Sequence, residues 1–174
     1  PNRLLLDDRV DRAMTGIRRD SSKTCLLIFV DLDRFKQIND EYGHHAGDFA
    51  LKSAGSRIRA TVREADTVGR WGGDEFLVFM ENVDRARTGE LFAKIRKAVE
   101  KPAKYRGHEL SVGVSIGYAL APDDGNKMDE LLRVADEDDA GVGILDAEGG
   151  DQRRPELDVE HRGLVDDHDV VLER

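Results

Sequence analysis

The acids that could do chemistry in this sequence fall in two places. Asp31 and Asp33 close the apolar run Cys25-Leu-Leu-Ile-Phe-Val30, and Gly72-Gly73-Asp74-Glu75 lies between two short β-rich segments. A strand has a side-chain period of two, so Asp31 and Asp33 point the same way beyond the strand end. Carboxylates so placed suit hard Mg²⁺, which takes oxygen from one or two carboxylates, waters and substrate phosphates. A polar strand end or a helix cap is the plain alternative. Asp74 and Glu75 repel each other as neighbours, which is tolerable in full solvent or around a cation. The glycines before them lack Cβ and so let a ligand come close to the backbone. Together the two sites suggest a polymerase-like arrangement in which carboxylates from a strand end and a neighbouring hairpin hold two cations. Such a pair can stabilise the attacking and leaving oxygens of a phosphoryl displacement.

Positioning these acids requires a scaffold, and the hydrophobic pattern supplies one. Leu4, Leu5, Leu6, Val10, Met14 and Ile17 recur at helical spacing, predicting an amphipathic helix over residues 4–19. Residues 24–30 are too short and too β-rich for a helix and fit a central strand buried on both faces. Helices follow over about 35–42, closed by Gly43, and about 45–62, with Asp48 in the first turn of the second. Residues 67–70 and 76–80 read as a β-hairpin, with the paired glycines giving the positive φ of a tight turn. A helix over 85–100, a strand over 110–120 and a helix over 127–136 complete the order α-β-α-α-β-β-α-β-α. That order predicts an α/β sandwich with a mostly antiparallel sheet covered by helices.

Composition narrows the function classes. The chain has 174 residues, 39% hydrophobic, 36% charged and 6% aromatic, enough for one domain with a modest core. The net charge of −9 argues against a basic nucleic-acid-binding surface. It is unevenly spread: residues 1–135 carry 23 Lys and Arg against 22 Asp and Glu, and residues 136–174 carry 4 against 14. The acidity belongs to the last stretch, which reads as solvated tail. The single cysteine, Cys25, lies in an apolar run and reads as a buried small hydrophobe, consistent with a reducing, cytoplasmic setting. No apolar run has the ~20 residues of a membrane helix, so no membrane contact is expected from this segment. The opening Pro1-Asn2-Arg3, without an initiator methionine, reads as part of a longer polypeptide whose missing N-terminal region could carry an anchor.

Five spaced blocks carry a resemblance. Asp31-Leu-Asp-Arg-Phe-Lys-Gln-Ile-Asn39-Asp, Gly43-His44-His-Ala-Gly47-Asp48-Phe-Ala-Leu51, Arg63-Glu-Ala-Asp66, Arg70-Trp-Gly72-Gly73-Asp74-Glu75-Phe76 and Ser115-Ile-Gly117 resemble the GGDEF-domain diguanylate cyclases in order and spacing. Pro1-Asn2-Arg3 is similar to the end of that family's Leu-Thr-Gly-Leu-Pro-Asn-Arg opening. The resemblance implies a nucleotide-cyclase, palm-like fold over residues 1–137. It further implies condensation of two GTP into cyclic di-GMP and pyrophosphate by a homodimer in which two domains face each other.

The same resemblance implies roles by position. Asp31, the Leu32 carbonyl, Asp74 and Glu75 would bind Mg²⁺ or Mn²⁺, two ions per site, and Asp74 would help deprotonate the attacking 3′-hydroxyl. Asn39 and Asp48 would read guanine, because a carboxylate accepts from the N1 and N2 hydrogens that adenine lacks. His44 stands at the edge of that pocket and His45 reads as a surface residue. Lys36 faces either the phosphates or solvent. Arg63 and Asp66 match the Arg-x-x-Asp inhibitory site for product, with a surface ion pair as the alternative, and Trp71 is most simply packing.

The resemblance stops sharply after Ala135-Asp136-Glu137. Asp138 and Asp139 replace small and apolar residues, and Gly143 and Ala147 stand where the family has a Lys and an Arg that grip the triphosphate. Val142-Gly-Ile-Leu145 could form a short strand. Residues 138–174 read as an acidic, divergent tail, joined by a reading-frame shift or a junction. With the phosphate grip gone, a domain that binds GTP or cyclic di-GMP without turnover is the alternative function.

Overall fold

The computed structural model describes residues 3–20 and 23–139. In chain order the elements are α1 (Arg3–Arg19), β1 (Cys25–Asp33), α2 (Phe35–Tyr42), α3 (His44–Thr61), β2 (Thr67–Gly72), β3 (Glu75–Glu81), a single 3-10 turn (Arg85–Arg87), α4 (Thr88–Val99), β4 (Ala103–Tyr105), β5 (His108–Leu110), β6 (Gly113–Ala121) and α5 (Met128–Asp139). Four strands form one sheet in the order β2-β3-β1-β6, and every pairing in it is antiparallel.

The period of two in β1 divides the core. Leu26, Ile28, Val30 and Leu32 pack with Leu51, Ala54 and Ile58 of α3 and Phe92, Ile95 and Val99 of α4. Cys25, Leu27 and Phe29 face the other way, onto Leu6, Val10 and Met14 of α1 and Leu131 and Ala135 of α5. Burial on both faces is what the unbroken apolar run predicts, and it holds the strand that ends in the acids. Cys25 is buried, and desolvation, with the Glu81 charge beside it, pushes its thiol up to about 12. It is a packing residue.

Three local differences from the sequence expectation have physical causes. The strand expected over 110–120 is broken at residues 111–112, and its first part pairs with β4 in a separate two-stranded ribbon, Ala103↔Leu110 to Tyr105↔His108. Three-residue strands have no readable period. That ribbon braces the α2–α3 pair: Phe49 meets Tyr105 with ring centroids 5.1 Å apart, and Tyr42 meets His108 at 5.3 Å. The expected helix over 85–100 begins as a 3-10 turn, because Asp84 Oδ1 accepts from the Ala86 N–H at 3.1 Å and tightens the entry. The glycine pair Gly72-Gly73 does not adopt positive φ; the left-handed positions among the described glycines are Gly43, Gly107 and Gly125. Asp138 and Asp139, the first residues of the expected tail, still belong to α5; residues 140–174, with Val142–Leu145, Gly143 and Ala147, lie outside the described residues. No helix among the described residues is long and apolar enough to cross a membrane.

Because Ile28 is fully buried at the centre of the sheet, Ile28→Ala is expected to cost about 2–5 kcal/mol in urea unfolding. A loss below about 1 kcal/mol would contradict this placement of β1.

Candidate functional site

Sheet register brings the two acidic segments together. Asp31 and Glu75 are Cα partners across β1 and β3, and partners across a ladder present their side chains on the same face. Asp74 occupies the two-residue turn that follows Gly72, whose ladder partner is Glu75. The carboxylates therefore converge by backbone geometry, on the face that carries α1 and α5.

Their electrostatics record that convergence. The Asp31 carboxyl is raised above the ordinary range, by burial first, then by Asp74, with smaller contributions from Asp33 and Asp136 and an opposing hydrogen bond from the Leu32 backbone. Glu75 is raised by burial and by the charges of Asp31, Asp74 and Asp136. Asp31 Oδ1 is buried with no hydrogen-bond partner, and an orphaned buried acceptor is costly. Among the described residues no group of three or more His, Cys, Asp or Glu side chains is arranged so as to hold a metal ion as it stands, so the carboxylates crowd one region without forming a ready-made site. The donor set is nonetheless all oxygen, which fits a hard divalent cation, and Asp31 Oδ1 is the atom such a cation would satisfy.

The structure separates Asp31 from Asp33. Asp33 Oδ1 accepts from Ser115 Oγ at 2.8 Å, and a Cβ on its ladder partner Gly113 would stand 2.7 Å from Asp33 Oδ2. Asp33 thus ties β1 to β6, while Asp31 Oδ1 has no hydrogen-bond partner. Leu32 buries its side chain on the opposite face, so only its backbone can contribute to a site among the acids.

Arg34, in left-handed conformation at φ 61°, turns the chain directly from Asp33 into α2. A non-glycine residue there is strained. Helix α2 begins without a side-chain cap, leaving N–H groups suited to an anion, and Lys36 is exposed in its first turn.

Asn39 and Asp48 lie on the facing helices α2 and α3, joined at Gly43 with φ 82°. Asp48 and His44 are exposed, Asn39 is half-buried and His45 is exposed as expected. The residue that sequence reasoning missed is Gly47. A Cβ there would overlap Asn39 Oδ1 and stand 2.9 Å from its Cγ and 3.1 Å from Phe35 Cζ. Asn39 crosses the helix where only glycine leaves room. The available signal was a glycine inside a helix, which costs about 1 kcal/mol relative to alanine and implies a close approach.

Arg63 and Asp66 do not form the surface ion pair weighed above. The buried Asp66 accepts from the Arg63 backbone N–H at 2.7 Å, and the Asp66 N–H donates to the Arg63 carbonyl at 3.1 Å. Arg59 holds the same turn, donating to the Asp66 carbonyl at 2.6 Å and to the Arg63 carbonyl. This leaves the Arg63 side chain exposed beside a cavity of about 300 Å³ that Arg9, Asp66, Thr67 and Glu81 also line. Trp71 is half-buried against the α1/α5 core, as packing predicts.

The family described as "Diguanylate cyclase, GGDEF domain" matches residues 1–138. The bifunctional diguanylate cyclase/cyclic di-GMP phosphodiesterase MucR of Pseudomonas aeruginosa is 45% identical over 136 residues, covering 78% of this chain and 20% of that protein. The chain thus spans about a fifth of that relative. The crystal structure of the GGDEF domain of TpbB (YfiN) from the same organism superposes with a TM-score of 0.76 at 34% identity, covering 80% of this chain and 88% of that one. The GGDEF domain of DgcB from Caulobacter crescentus, solved in complex with c-di-GMP, gives 0.72 at 26% identity, covering 87% of this chain and 88% of that one.

Raised carboxyl pKa values mean that the folded chain holds these protons more tightly than the unfolded chain. The associated stability is present below the ordinary carboxylate range and is lost as pH rises through the raised values. Asp31→Asn is therefore expected to raise the Tm of metal-free protein at neutral pH and to flatten its decline with pH. Mg²⁺ should stabilise the parent chain and not the variant; an equal Mg²⁺ shift in both would contradict the site. Separately, Gly47→Ala is expected to lower the Tm, because its new Cβ must displace Asn39; an unchanged Tm would contradict this packing.

Proposed function

This chain belongs to the GGDEF-domain diguanylate cyclase family, and from that premise we propose that it condenses two GTP molecules into cyclic di-GMP, releasing two pyrophosphates. The observation that carries the reading is the convergence of Asp31, Asp74 and Glu75 around the unsatisfied Asp31 Oδ1.

In this reading Asp31, Asp74, Glu75 and the Leu32 carbonyl hold Mg²⁺ or Mn²⁺, two ions per site. Bound there, the cations supply positive charge that offsets the phosphates and the leaving pyrophosphate. Asn39 and Asp48 grip the guanine edge, with Gly47 making room and His44 at the rim. The uncapped start of α2 and Lys36 face the triphosphate. Asp74 accepts the 3′-hydroxyl proton as the oxygen attacks the α-phosphorus of the GTP on the facing domain, and the bond from that phosphorus to the bridging oxygen of pyrophosphate breaks. Repeating the step in the other direction closes the ring. The product has two equivalent halves, so two copies of the domain related by a twofold axis fit it. Arg63, whose guanidinium stands free of the Asp66 turn, receives product as an inhibitor, its fork suited to a guanine edge or a phosphate.

A second reading is favoured by Gly143 and Ala147 at the family's Lys and Arg positions: a domain that binds GTP or cyclic di-GMP without turnover. Incubation with GTP and Mg²⁺ followed by chromatography separates the two. Cyclic di-GMP is the expected product; bound but unconverted GTP at high protein concentration would establish the binding module instead. Asp74→Ala is expected to cut turnover by about 100-fold or more while leaving the Tm unchanged or somewhat raised, and undiminished product would refute its role.

A further inference from the structure

We propose that Arg70 is a positioning residue for this reaction, holding the turn that carries Asp74 by clamping the Gly73 carbonyl. The inference rests on the GTP-condensing reading of the site. Arg70 Nε donates to Gly73 O at 2.9 Å and Nη2 to the same oxygen at 2.5 Å. Both N–H groups of one planar guanidinium thus converge on one peptide oxygen, a geometry that fixes direction as well as distance.

The placement of Arg70 excludes a direct role among the acids. Arg70 is the ladder partner of Phe76, and Phe76 belongs to the core on the α3/α4 face. Asp31 and Glu75 stand on the opposite face. Arg70 also lines a groove of about 450 Å³ between α3 and β2, with Leu51, Val68 and Phe76. Its guanidinium therefore reaches the turn from behind the carboxylates, and it acts on them through the backbone.

The turn needs such a restraint for two reasons. The β2–β3 ladder shifts register between Arg70 and Gly72, just before the tip. A Cβ built on Gly73 would meet nothing within 4 Å, so the turn faces open space on that side. The Asp74 charge also repels Asp31 and Glu75. Because the peptide is planar and trans, anchoring the Gly73 oxygen sets the plane of the Gly73–Asp74 peptide and hence the direction in which Asp74 leaves the backbone. Loss of the clamp frees that plane while leaving the core pairs of β2 and β3 intact.

The test uses the full chain with Arg70→Ala and Arg70→Lys. Trp71 is the single tryptophan and lies between clamp and tip, so its fluorescence follows Mn²⁺ binding without turnover. In Arg70→Ala the midpoint of the Mn²⁺ titration is expected to rise about 10-fold and kcat to fall about 10–100-fold, with KM for GTP and the Tm little changed. Arg70→Lys, which keeps one donor and the charge, should recover part of both losses. A raised KM with unchanged kcat would mean that Arg70 binds substrate directly and would overturn the proposal. So would an unaltered Mn²⁺ midpoint, or a collapse of the Tm in both variants. If the parent chain turns over no GTP, the catalytic reading fails while the Mn²⁺ arm still decides the clamp.

Discussion

Everything in this domain depends on holding like charges together at the end of a buried strand. The ladder between β1 and β3 places Asp31 directly across from Glu75, and the turn adds Asp74. Their repulsion opposes folding, and burial of Asp31 adds a desolvation cost. What offsets it is hydrophobic: Leu26, Ile28, Leu27 and Val30 are at most 1% exposed, and burying each such side chain contributes about 1.5–3 kcal/mol. The long apolar strand is thus the anchor for the chemistry as well as the middle of the core.

The surrounding elements divide the work. The α1/α5 layer covers the same sheet face as the acids, and the α3/α4 layer covers the other. Helices α2 and α3 present Asn39 and Asp48 on a hairpin braced by the β4–β5 ribbon. Arg34, a single strained residue, joins the strand that ends in the acids to the helix that carries Asn39. The Arg63–Asp66 turn leads into β2, whose far end is the acidic tip.

Local signals made the sheet, the helix hairpin and the acidic turn legible in the sequence. Strand β1 announces itself because an apolar run bounded by Asp31 has no helical period. Gly43 marks the joint between α2 and α3 because the backbone there needs positive φ. The β4–β5 ribbon was invisible because three-residue strands leave no pattern. The division between Asp31 and Asp33 depends on Ser115, 82 residues away in sequence, and no local rule reports such a bond. The turn glycines suggest both a tight-turn conformation and close approach of a ligand, and in the structure Gly72 makes room for its neighbour, since a Cβ would stand 2.7 Å from Glu75 Oε2. The Asp66 carboxylate, for which a surface ion pair with Arg63 was the alternative to a product site, closes its own turn by accepting from the Arg63 N–H.

The central claim is that Asp31, Asp74 and Glu75 form a divalent-cation site beside bound guanine nucleotide. The most direct measurement is anomalous diffraction from crystals of the chain grown with Mn²⁺ and a non-hydrolysable GTP analogue. The expected result is manganese density bounded by those three carboxylates, with the guanine between Asn39 and Asp48. Nucleotide bound elsewhere, or bound here with no manganese among the acids, would contradict the claim.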